Sequence, residues 1–361
     1  MVKLTNEQGF TYGSGLQTLS DAIDADNEEA KIRGHSPTLK TAFSYDAAAN
    51  MASSKGSFIS ATKYRFMAMM ESMSARLEAQ ILYGNSGFGE TASTSNVSTT
   101  ETDLVIKDSE WAPGIWSGLE GAEIDLHEGG LVNVAGALTI DSIDHESKTI
   151  RVSGVASDIT AVDVAGADQV VHFRGAESNE MTGIRSIVGN TGLLYEISGA
   201  EYSLWRGNTH DLGASNLNLK EILIGNAKAA AKGLMEDSCV YVSSLTFSSL
   251  ANDQASLRRY SGEVKKATDG FTSIEFHAPS GSIEVIPHPM VKEGEAMSFP
   301  KGKIERIGAT DVTFQTPGGE GGEMFKHLSN QTGYEVRSYS EQSIFLPCPA
   351  KCVLYTGISN S

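Results

Sequence analysis

Residues 64–85, YRFMAMMESMSARLEAQILYGN, run without Gly or Pro until Gly84, in a chain that carries 37 Gly and is otherwise broken every few residues by Gly, Ser, Asn or Pro. Four of the eleven Met lie inside this run. Met67, Met70, Ser74, Leu77 and Ile81 recur at steps of three and four, which predicts one apolar helix face. Arg65, Ser72, Arg76 and Glu78 are expected on the wetter side. With Ser60 as N-cap and Gly84 as the C′ residue, the helix is expected over 61–83, about 23 residues or about 35 Å long. The Met stripe fits adaptable core packing better than a cofactor box.

A chain of 361 residues exceeds one small core, so two or three modules are expected. Hydrophobic and charged fractions of 40% and 20% place it among ordinary folded proteins. Many Gly with only 9 Pro fit tight turns between strands. The formal net charge of −17 disfavours grip on phosphate backbones or anionic lipid. Cys239, Cys348 and Cys352 are too few and of the wrong number for a disulfide framework, so reduced thiols in a cytosol are expected. The spacing of Cys348 and Cys352 in PCPAKC does not suggest zinc. No apolar run long enough to span a membrane is present, and the first residues lack a signal-peptide core.

Before the long helix the pattern is weak. Residues 19–34, LSDAIDADNEEAKIRG, suggest a short acidic helix, and residues 35–57 show no sustained period. This stretch is read as an arm and a long loop that reach other molecules. After the helix, residues 84–103 read as a polar linker. From 104 to 175 the period becomes two, with LVIKD, AEIDLHE, LVNVAGALTIDSI, KTIRVSG and DQVVHFRG separated by turns, which predicts an antiparallel barrel or sandwich. ALTIDSI and KTIRVSG flank DHES as a hairpin. Beyond it, Asn218 and Glu221 form a variant capping box for a helix ending near Gly233. A strand at 239–243, a helix at 245–260, a hairpin around PSGS (279–282) and strands in 303–314 and 334–358 complete the expectation.

A search for chemistry singles out no catalytic, cofactor-binding or metal-ligating residue, and no cofactor is expected. GNSGFGE follows a helix and has no basic partner, so it is not a phosphate loop. TPGGEGGEMF (316–325) carries acids where a phosphate cradle needs Lys, and reads as a flexible loop. No nucleophile elbow and no His-Glu-x-x-His occur. His35, His127, His145, His172, His210, His277, His288 and His327 are scattered singly, each better read as a surface or satisfied His than as a ligand. Counting from the PSGS turn pairs His277 with Glu284. The Asn-x-Ser/Thr matches at Asn96 and Asn330 are read as chance.

The order of parts resembles the major capsid protein of tailed bacteriophages, a fold shared with encapsulins and the herpesvirus capsid floor. Residues 181–207, MTGIRSIVGNTGLLYEISGAEYSLWRG, are similar to the segment that enters the axial domain of that family, and residues 334–358 to its closing strands. The resemblance implies an α+β fold with an N-terminal arm and extended loop (1–59), a spine helix and peripheral domain (60–100), an inserted antiparallel β domain (101–178), an axial domain (179–309) and a return to the peripheral domain with C-terminal strands (310–361). It implies a non-enzymatic head protein that self-assembles as hexamers and pentamers into an icosahedral shell around double-stranded DNA, without sequence-specific contact and without a membrane. A separate scaffolding protein, a portal and a decoration protein are the implied partners, and the virion, assembled in the host bacterial cytoplasm, is the implied location. The start at Met1 is taken to leave no cleaved N-terminal scaffolding segment. The alternatives are an encapsulin-like compartment and, more distantly, a β-rich binding module.

Overall fold

The structure is a computed structural model and describes residues 1–44, 55–128, 132–252, 273–314, 326–327 and 332–360. It is mixed α and β, with a single long helix, a closed barrel and two further sheets. The loop expected at 316–325, the second half of the helix expected at 245–260, and Asn330 lie outside the described residues.

The first residues form an arm. Strand β1 (Val2–Lys3) pairs antiparallel with β2 (Asn27–Glu28), and Val2 and Leu4 are buried. Between them the chain runs out and back, held by Leu4 N–H to Asp26 O at 2.9 Å and Gln8 N–H to Ile23 O at 3.0 Å. The acidic helix expected at 19–34 does not form. Backbone donors in that stretch are taken across the loop, Ser20 N by Thr11 Oγ1 and Asp26 N by Thr5 Oγ1, each at 2.7 Å. Asp21, Asp24, Asp26, Glu28 and Glu29 also crowd like charges that a helix would stack at three- and four-residue steps.

Helix α1 (Lys55–Tyr83) has 29 residues, about 43 Å. Ser60 lies inside it and is not its cap. The chain leaves the helix through Gly84, whose N–H donates to Gln80 O at 2.8 Å, and the left-handed residue is the next one, Asn85, at φ 60°. Gly84 is needed for closeness: a Cβ there would lie 2.1 Å from Met181 O. The buried stripe is Met69, Met73, Leu77 and Gln80, ending at Leu82 and Tyr83. Met67, Met70 and Ser74 face out, so the expected stripe is rotated about the helix axis. Arg76 is not on a wet face either. Its guanidinium carbon lies 3.1 Å from the Phe173 ring centroid, and burial lowers its pKa to about 10.

What α1 packs against is remote in sequence: strand β3 (Thr38–Ser44), strand β19 (Gly333–Phe345) and the short helix α4 (Ile184–Val188). Strand β3, in a stretch with no sustained period, is held by its ladder to β19, from Thr38↔Tyr339 to Ser44↔Gly333. Strand β17 (Glu305–Thr313) pairs with the other half of β19, and β18 (Lys326–His327) completes this sheet.

The barrel closes in the order β4-β5-β8-β7-β6-β9, all antiparallel, from β4 (Gly89–Ser98), β5 (Glu101–Ile106), β6 (Glu123–Glu128), β7 (Val132–Asp144), β8 (Thr149–Ser153) and β9 (Gln169–Phe173). Its first strand occupies the expected polar linker. Its small polar residues are drawn into the sheet by ladders on both sides, to β5 and to β9. The β7–β8 hairpin forms as expected, with Asp144 accepting from Glu146 N–H and Ser147 Oγ in the turn. Helix α3 (Ala156–Ala165), unforeseen, packs on the barrel with Ile159 and Val162 buried. Leu104, Ile124, Leu126, Ile140, Val152 and Val171 fill the core, which runs on into Tyr83, Trp111, Trp116 and Met297. The barrel therefore shares a core with the rest of the chain.

The six-stranded sheet has the order β12-β20-β16-β13-β15-β14: β12 (Asn208–Ser215), β20 (Val353–Ile358), β16 (Ala296–Pro300), β13 (Ser238–Val242), β15 (Gly281–Pro287) and β14 (Ile274–Ala278). Two neighbours are parallel, β12 with β20 and β13 with β15. Helices α5 (Leu219–Ala231) and α6 (Ser244–Asn252) cover it over a second core cluster. The cap of α5 is as expected, Asn218 Oδ1 accepting from Glu221 N–H at 3.1 Å. The β14–β15 hairpin turns on only two residues, so His277 faces Ser282, not Glu284, and Gly281 enters the ladder at φ 137°.

Candidate functional site: an exposed arm, a charged junction and a histidine pair

The segment KEGE (292–295) joins helix, barrel and sheet. Gly294 can lie against Ser109 because it has no Cβ; one would sit 2.4 Å from Ser109 Cβ. Beside it the Lys292 ammonium donates to Glu110 Oε2 at 2.5 Å and Gly87 O at 3.1 Å, and lies 4.7 Å from the Tyr83 ring centroid. The Lys292 backbone N–H donates to Tyr83 Oη at 2.8 Å. Glu293 accepts from Lys148 at 2.7 Å, and Glu295 takes both oxygens to Arg185 Nε, at 2.7 and 2.8 Å. Burial pushes the Glu110 carboxyl up, but the charge and hydrogen bond of Lys292 outweigh it and the net shift is down. Burial pushes the Tyr83 hydroxyl well above its ordinary value. These paired charges fix three units in one arrangement, and their chemistry is structural.

Two surfaces leave large apolar side chains bare. On the arm, Phe10, Tyr12, Leu16, Leu19 and Ile23 are all exposed by more than half. On α1, Tyr64 and Met67 are 74% and 61% exposed, with Met70 beside them. Scattered exposed apolar residues need no explanation, but five on one projecting loop form a patch that water serves poorly.

The eight His do not all stay single. His127 on β6 and His172 on β9 meet edge to face, with ring centroids 5.2 Å apart, and both are buried. The register explains it: Asp125 pairs with His172 and His127 with Val170, so Asp125, His127 and His172 share one face of two adjacent strands. Burial first, and then the neighbouring His127, lower the His172 pKa to about 4. Nothing in the sequence says that β6 lies beside β9, and DLHE and VVHF are separated by more than forty residues, so no spacing motif reveals the pair. His210 instead meets Glu221 at 2.7 Å, and His288 meets Glu78 at 2.9 Å. Cys239, Cys348 and Cys352 are free thiols. Among the described residues, no three of His, Cys, Asp and Glu converge to hold a metal ion by themselves, and no helix is long and apolar enough to cross a membrane.

No protein-family model matches the sequence, and no curated protein matches it. Solved structures do. The capsid of an empty GTA particle is 8% identical with a TM-score of 0.47, over 99% of this chain and 84% of that one. The capsid of cyanophage A-1(L) is 9% identical with a TM-score of 0.37, over 51% of this chain and 62% of that one, so the match spans less than two thirds of the cyanophage chain. The procapsid of satellite phage P4, solved with its size determination protein, is 9% identical with a TM-score of 0.34, over 100% of this chain and 86% of that one.

The exposed arm can bury its apolar residues only on another molecule or another copy. The junction keeps the helix, barrel and sheet aligned while it does so.

Proposed function

We propose that this chain is the major capsid protein of a tailed bacteriophage, a non-enzymatic subunit whose copies build an icosahedral shell of hexamers and pentamers around double-stranded DNA. The observation that carries this reading is the arm: a loop from residue 5 to 26, anchored by Val2 and Leu4, that presents five large apolar side chains to solvent. A surface of this kind is covered by a neighbour, and heterologous contacts repeated between identical subunits close into a shell when symmetry allows. Each contact can be modest because many act together.

The parts take roles accordingly. Residues 1–59 are the arm and extended loop, 60–100 the spine helix and peripheral domain, 101–178 the body of the inserted β domain, 179–309 the axial domain and 310–361 the return to the peripheral domain. The insertion is the closed barrel, whose first strand begins at Gly89. A separate scaffolding protein, a portal and a decoration protein act on the shell, which forms in the host cytoplasm.

Expression of the full chain followed by size-exclusion chromatography and electron microscopy tests this. Closed megadalton particles, or hexamers and pentamers, are expected; a monomer of 38.4 kDa under all conditions defeats the proposal. Changing Phe10, Tyr12, Leu16 and Leu19 together to Ser should leave the monomer folded and abolish particles. Nuclease-protected DNA in native particles separates a phage head from an enzyme-filled compartment of the same fold.

A further inference from the structure

The face of the barrel that carries His127 and His172 is roofed by the turn leaving α1 and by the turn after β9. Together they enclose a cavity of about 410 Å³, lined by both imidazoles with Asn85, Ser86 and Glu177. Neither nitrogen of His127 nor Nδ1 of His172 meets a protein hydrogen-bond partner, although all three atoms are buried. Such orphaned polar atoms are uncommon, and each costs about 1–3 kcal/mol unless something else satisfies it. Here three of them gather in one place. The neighbouring acid is already occupied: Asp125 accepts from Ala137 N–H at 3.2 Å and Gly175 N–H at 2.7 Å, and so anchors the turn beneath the cavity.

We propose that His127 and His172 form a two-imidazole site for a divalent transition-metal ion, zinc above all, with water and the Glu177 carboxylate completing its coordination. The ring geometry suits this. With zinc–nitrogen bonds of about 2.0 Å and a tetrahedral angle between them, two imidazole centroids stand about 5.2 Å apart. The observed separation is 5.2 Å, with the ring planes 85° apart. Imidazole nitrogen selects zinc, copper and nickel over magnesium and calcium, which take oxygen. An ion here would tie β6 to β9 under the turn of Asn85 and Ser86, and so clamp the helix exit to the barrel. The inference concerns the folded subunit and stands whether or not subunits form a shell.

The test uses the full chain, stripped with chelator and desalted, with zinc alone as probe. Isothermal titration should show one zinc per chain, with His127→Ala and His172→Ala each weakening it about tenfold or more. Glu177→Gln should weaken it less. Because either His variant can disturb the barrel, X-ray absorption on the wild-type protein loaded with one equivalent of zinc gives an independent reading: two imidazole ligands at about 2.0 Å are expected. Zinc that is lost on desalting, or that shows oxygen ligands only, overturns the proposal. So does undiminished binding by folded variants lacking either His.

Discussion

Lys292 keeps 1% of its side chain exposed, and its partner Glu110 keeps 17%. A buried pair of this kind adds little net stability over apolar residues of similar shape, because both charges leave water. Breaking one half is different, since it strands the other. Lys292→Met should destabilise the subunit by about 3–5 kcal/mol, and Lys292→Met combined with Glu110→Gln should recover most of that loss. Chemical denaturation of the three proteins, read by circular dichroism, measures this, and a double variant no better than the single one would show that Lys292 acts through packing alone. The same pair sets a pH dependence. Glu110 has its carboxyl pKa below its ordinary 4.5 in the folded state. Its ionised form is therefore stabilised by folding, a contribution complete above pH 4.5 and lost as pH falls through the lower folded value. The stability gap between wild type and Glu110→Gln should hold at neutral pH and narrow in acid; a constant gap down to pH 3 would refute the assignment.

At the scale of elements, α1 separates two kinds of Met. Met69 and Met73 are 6% and 2% exposed, so Met→Ala at either should cost about 2–5 kcal/mol in the unassembled subunit. Met67→Ser and Met70→Ser should stay within about 0.5 kcal/mol in the same assay yet reduce the assembled fraction in sedimentation. Equal effects of all four on the monomer would remove the distinction. The position of this helix was legible in the sequence because no Gly or Pro interrupts it, but its buried face was not. Met at 67, 69, 70 and 73 serves two neighbouring stripes equally well, and the choice is made by β3, β19 and α4, which lie far away in the chain. The same division holds elsewhere. The β7–β8 hairpin and the Asn218 cap depend on residues within a few positions and were readable. Strand β3, strand β4 and the His127–His172 pair depend on partners between about 45 and 300 residues distant, and were not. Where only a turn length was misjudged, as at Pro279 and Ser280, the cost was a two-residue slip in register at His277.

For the whole molecule, charge and apolar surface pull in opposite directions. Each chain carries −17, so bringing copies together concentrates like charge, while covering the arm and the outer Met of α1 releases apolar surface from water. Salt acts on the first effect strongly. At 0.01 M ionic strength the screening length is about 30 Å, comparable with a subunit, whereas at 0.15 M it is about 8 Å and only charges at the contact itself repel. Assembled particles should therefore melt at lower temperature, or dissociate, when dialysed to low ionic strength, and recover near physiological salt. Variants with the arm changed to Ser should fail to assemble at both salts, because screening does not replace lost apolar contact. Light scattering and electron microscopy on one preparation split between the two buffers decide it. Particles equally stable in both would mean that opposite charges meet across the contacts closely enough to cancel the net repulsion, and that net charge is not what limits assembly.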